Sequence, residues 1–190
     1  MQKPPGIRIW DLPVRLFHWS VACLFLLNYW LLEAGDPPHE WAGYAIAALV
    51  LLRCVWGFVG PHNARFASFF PTRKRLRQHW RELRERHFDP ATGHNPLGAL
   101  MILLMLTLLL VTAVSGWMQE LDAFWGEDWV QLLHSYSADV LMAAVAIHVA
   151  AVLLMSRISG LALVRTMITG RRPAGSTPPT MIGTTSSPNK

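Results

Sequence analysis

Four histidines in this 190-residue chain occupy positions where imidazole chemistry is chosen rather than incidental. His18, His39, His134 and His148 each lie in, or at the edge of, a long apolar segment. Along a helix, the 14 residues from His134 to His148 span ~21 Å and leave the two rings within ~40° of one another. One helix face therefore carries two imidazoles at two depths, and two other helices offer one each. The stripe between the first two passes Ala138, Leu141 and Val145, apolar throughout, as the faces of a porphyrin require. A polar ring in the middle of an apolar span reads as functional, and two imidazoles suit the two axial positions of haem iron. Zinc and copper also take imidazole, but Asp139 lies ~140° round the helix from His134 and is a poor co-ligand. No Cys-x-x-Cys-His run is present, so any haem is of the non-covalent b type. No catalytic residue is assigned.

The elements that must position these rings are long and apolar. Segments at about 12–32, 40–59 (apolar from Ala42 on), 97–118 and 130–155 each approach the ~20 residues needed to cross the hydrocarbon core of a bilayer. Composition agrees, with 52% hydrophobic and 15% charged residues, and Leu97–Met118 contains no charged residue at all. The fold class read from this pattern is all-α: an integral membrane four-helix bundle over residues 1–172, with two haems stacked across the membrane. Asp11, Leu12 and Pro13 form a helix entrance. The turn from Ala34 to Pro38 separates the first two spans, and Gly60 and Pro61 close the second. Residues 71–88 read as a short basic surface helix, and Gly160–Gly170 as a short amphipathic helix. The last 18 residues, 173–190, read as a disordered tail. Cys23 and Cys54 both fall within spans, so a structural disulfide is not expected.

Charge orients the bundle. Lys3, Arg8 and Arg15 stand before or at the start of the first span. Arg65, Arg73, Lys74, Arg75, Arg77, Arg81, Arg84 and Arg86 lie between the second and third. Arg157, Arg165, Arg171, Arg172 and Lys190 follow the fourth. The other two connections hold only acids: Glu33, Asp36, Glu40, Glu120, Asp122, Glu127 and Asp128. The positive-inside rule puts both termini and the basic loop in the cytoplasm, so the net charge of +5 is a topology signal. A basic loop between spans faces anionic lipid headgroups rather than nucleic acid. This orientation, drawn from charge alone, places His18 near the inner face, His39 and His134 near the outer face, and His148 ~21 Å deeper than His134. Depth thus pairs His39 with His134 and His18 with His148.

Four further residues join the candidate cofactor-binding set. Gly43, one turn from His39, allows close approach of a porphyrin edge to the backbone. Arg53 shares that face at the depth of the inner pair, with an inner-haem propionate or the cytoplasmic interface as alternative partners. Arg15 adds positive charge on the inner side. His94 precedes the third span, where it is open to helix-entry chemistry, to replacing His18 as a ligand, or to binding a propionate or quinone. His62, His79 and His87 fall in the basic loop and read as solvated.

These residues carry a resemblance to a known family. The run Ile7-Arg-Ile-Trp-Asp-Leu-Pro-Val-Arg-Leu-Phe-His-Trp19, then His39-Glu-Trp-Ala-Gly43 with Arg53, Trp56 and Gly57, resembles bacterial cytochrome b561 and the b-type cytochrome subunit of membrane nickel–iron hydrogenases. Gly93-His-Asn-Pro-Leu-Gly98, the His134 and His148 pair, and Met167-Ile-Thr-Gly170 complete the similarity over roughly residues 7–172. It implies two haem b groups held by His18, His39, His134 and His148 in a bacterial inner-membrane protein. It also implies electron exchange between quinone and a periplasmic redox partner such as a cytochrome c or a hydrogenase. Two other functions stay open: a superoxide oxidase that reduces ubiquinone, disfavoured by outer loops without Lys or Arg, and a haem-free membrane anchor.

Overall fold

The computed structural model describes residues 7–72, 77 and 96–172. The basic helix expected at 71–88 (apart from residues 71, 72 and 77), His79, His87, His94 and the tail 173–190 lie outside the described residues. Within them the regular structure is helical apart from one two-residue strand pair. Four long helices, α1 (Leu12–Trp30), α2 (Pro37–Val59), α4 (Pro96–Met118) and α5 (Asp128–Ser159), carry most of the structure. A 3₁₀ turn at His62–Ala64 and the four-residue α3 (Phe66–Phe69) follow α2, and α6 (Leu163–Thr169) follows α5.

Local chemistry sets the ends of these helices. The Asp11 carboxylate caps α1 by accepting from the Val14 backbone N–H at 3.2 Å, with proline in the first turn. At the far end of α5, Gly160 takes a left-handed conformation (φ 68°), the backbone state that lets a helix stop without a Cβ clash. Three helices among the described residues are long and apolar enough to cross a membrane: Pro37–Val59, Leu97–Met118 and Asp128–Ser159. The expected fourth, α1, is long enough but falls outside that set, because Arg15, His18 and Asn28 interrupt its 19 residues. At 32 residues, α5 runs ~48 Å, well beyond the ~30 Å of hydrocarbon a span must cover.

Side-chain contacts fix the direction of each helix. The Tyr44 hydroxyl near the start of α2 donates to Glu120, just past the end of α4. The Trp56 Nε1–H near the end of α2 donates to Asp11 at the start of α1, at 2.8 Å. Thr112 of α4 meets Ser137 of α5 at 2.8 Å across the short connection. The helices therefore alternate in direction, which makes α2 parallel to α5 and α1 antiparallel to it. Close packing runs from α1 to α2, α2 to α4 and α4 to α5; among the described residues, α5 has no comparable packing on α1 or α2. The core is a thin column of Val21, Phe25, Ile46, Val50, Leu106, Leu109 and Leu141. Large apolar side chains such as Trp30, Leu52, Phe58, Val140 and Leu154 face outward, an arrangement that lipid accepts and water does not.

The two chain ends clasp each other. Ile7 pairs with Arg172 and Arg8 with Arg171 in an antiparallel register. The backbone N–H groups of Ile9 and Trp10 both donate to the Gly170 carbonyl, at 2.9 and 3.2 Å. Gly170 takes φ +74°, and a Cβ there would lie 2.8 Å from the Trp10 carbonyl oxygen.

Candidate functional site

The histidines meet in two couples. The ring centres of His39 and His134 are 6.1 Å apart with planes inclined at 63°. Those of His18 and His148 are 6.4 Å apart at 57°. These are the couples that depth in the bilayer predicts. Each joins α5 to a helix against which it does not pack closely, so the rings reach across the slot between α5 and the α1–α2 hairpin.

The spacing tests what the couples can hold. Metal–imidazole bonds of about 2.0–2.1 Å, with about 1.1 Å more from nitrogen to ring centre, put two trans imidazoles about 6.3 Å apart centre to centre. Both couples match that distance. Among the described residues no three or more His, Cys, Asp or Glu side chains converge on one point, whereas a tetrahedral zinc site draws on three or four protein ligands. Two donors alone suit a metal whose remaining positions are filled by a macrocycle. At Gly43 no heavy atom lies within 4 Å of where a Cβ would stand, so there is room beside His39 one turn away. The residues present thus fit haem b.

His134 is the best defined of the four. Its Nδ1 lies 2.9 Å from the Thr112 carbonyl oxygen and 3.4 Å from the Ser115 hydroxyl. A carbonyl can only accept, so Nδ1 carries the proton and the Nε2 lone pair is left for a metal. Gly116 makes that approach sterically feasible, because a Cβ there would stand 3.0 Å from His134 Cε1. Thr112, Ser115 and Gly116 were not among the expected site residues. The signal in the sequence is a small polar stripe at i, i+3 and i+4 inside an otherwise greasy span. For His18 and His39, Nδ1 is buried and unpartnered.

The two arginines differ. Arg15 spends its donors on the last turn of α6: Nε donates to the Met167 carbonyl at 3.2 Å and Nη2 to that of Ile168. Arg53 is buried, donates from Nη2 to the Ala64 carbonyl at 3.2 Å, and lies over the Phe66 ring at 4.9 Å. His62 is exposed at the start of the 3₁₀ turn.

An apolar bundle carrying two imidazole couples is the architecture of a membrane b-type cytochrome. Residues 9–170 match the prokaryotic cytochrome b561 family, and the chain belongs to that family, whose b-type haem serves electron transfer. Curated relatives are named as probable nickel–iron hydrogenase b-type cytochrome subunits. The one from Azotobacter chroococcum mcd 1 is 27% identical over 217 residues, covering 90% of each chain. That of Azotobacter vinelandii is 27% identical over 164 residues, 72% of this chain and 68% of the relative. That of Rhizobium leguminosarum bv. viciae is 23% identical over 215 residues, 88% of this chain and 89% of the relative. No solved structure matches the chain.

Proposed function

We propose that this protein is a di-haem cytochrome that carries electrons across the bacterial inner membrane between quinone and a periplasmic redox partner. All four long helices span the bilayer, with both termini in the cytoplasm. His18 and His148 hold the inner haem, and His39 and His134 the outer one. The observation that carries this reading is the pair of ring separations, 6.1 and 6.4 Å, at two levels of one bundle. When bound, haem iron supplies a one-electron couple whose potential follows ligation, burial and local charge. The chain would hold each haem with a pair of imidazoles, the His134 ring being fixed by Thr112, and apolar side chains around the slot would exclude water.

The partner meets the outer face. Residues 31–41 and 119–129 carry acids and no Lys or Arg, which attracts a basic surface. A hydrogenase is the partner class supported by the relatives' names; a cytochrome c has the same electrostatic fit. Quinone reacts from the other side of the bilayer.

The direct test is a reduced-minus-oxidised spectrum with haem stoichiometry on purified protein. Wild type is expected to bind two haems per chain, and His148→Ala and His39→Ala one each, with different residual spectra. A colourless wild type, or two haems retained in either variant, overturns the assignment.

A further inference from the structure

Resting on the di-haem reading above, we propose that Arg53 is the counter-charge of the inner haem, binding a propionate carboxylate through Nη1 and raising that haem's potential. The first observation is one of register. The parallel helices α2 and α5 come level where His39 lies opposite His134 at 6.1 Å. Fourteen residues on, ~21 Å along each axis, α5 presents His148 and α2 presents Arg53. Thus α2 gives an imidazole at the outer level and a guanidinium at the inner one, where α1 supplies the second imidazole instead.

The second observation is that the guanidinium is held with one donor unused. Arg53 is 6% exposed, its Nη2 donates to the Ala64 carbonyl, and its Cζ lies 4.9 Å from the centre of the Phe66 ring. Phe66 is seated by Gly57: a Cβ there would fall 2.1 Å from the Phe66 ring, so only glycine lets this aromatic lie against α2. Nη1 is buried with no hydrogen-bond partner. A buried charge in that state is strongly unfavourable unless an anion completes it.

The third observation is that Asp11, close enough to act on Arg53 through its charge, makes its hydrogen bonds to other groups. Asp11 uses Oδ1 to cap Val14 and Oδ2 to accept from Trp56 Nε1. Both oxygens accept from neutral donors and neither is hydrogen-bonded to Arg53 Nη1, which leaves that donor for a carboxylate brought by the cofactor. A positive charge at that place favours the ferrous, less positive state of the iron.

Spectroelectrochemical titration of the purified holoprotein tests this, with His148→Ala identifying the inner transition. Arg53→Gln is expected to retain both haems and shift the inner ferric/ferrous equilibrium about tenfold toward ferric, about 59 mV for a one-electron couple, leaving the outer transition in place. Arg53→Lys is expected to recover most of that shift. An inner potential unchanged in Arg53→Gln overturns the proposal, as does an equal shift of both haems or an effect confined to bound lipid. Should Arg53→Gln fail to assemble, redox-difference infrared spectra with propionate-labelled haem decide it. A propionate band that moves in Arg53→Lys supports the contact; an unmoved band overturns it. A wild type without haem would remove the di-haem reading itself, an outcome distinct from any of these.

Discussion

Among single residues, His134 shows how much of a ligand's behaviour is set by its neighbours. Its tautomer depends on the Thr112 carbonyl, and its place against α4 depends on the missing side chain of Gly116. Gly116→Val is therefore expected to displace the ring and cut occupancy of the outer haem severalfold while sparing the inner one, read as haem per chain and by the residual spectrum. The pairing of the four histidines was legible before any coordinates, because loop charges orient the helices and helix rise converts residue number to depth. Thr112 and Gly116 were not, since they depend on which face α4 turns toward α5, and in a charge-free span only the short stripe of Thr112, Ser115 and Gly116 marks that face. The hydrogen bonds of Arg15 were hidden for a related reason: its carbonyl partners, Met167 and Ile168, stand over 150 residues away in the chain.

For the helices, apolar runs and turn residues located the four long elements to within a few residues, with Asp11, Pro37 and Gly60 marking ends chemically. What sequence did not disclose was the clasp of Ile7–Arg8 on Arg171–Arg172. Two-residue strands are too short to carry an alternating pattern. The clasp matters because α1 and α5 share His18 and His148 without packing closely together, so the joined ends and the hydrogen bond from the Tyr29 hydroxyl to Asp139 at 2.7 Å bracket that couple. Gly170 is its pivot. Gly170→Ala would place a Cβ against the Trp10 carbonyl at a positive φ, a strain of about 1–2 kcal/mol. A lower melting temperature in detergent, with the inner haem lost before the outer on heating, is the expected result.

Across the whole molecule, charge divides the ends of the bundle. On the proposed orientation the inner haem lies near Arg53 and Arg15, and the outer one near acids alone. The inner potential is thus expected to be the higher of the two, as resolved by redox titration with the histidine variants assigning each step. Docking of a basic partner on the acidic face is expected to weaken as salt rises, measurable as a falling association rate. One feature of the architecture also governs the making of the protein. Both couples draw one ring from α5, the last long helix to leave the ribosome. With only α1, α2 and α4 synthesised, His18 and His39 lack the rings they meet in the folded chain, and a nascent chain stopped before Asp128 has neither couple complete. On the di-haem reading, haem uptake is therefore expected only once α5 has been made, and a chain truncated before Asp128 is expected to be colourless when purified.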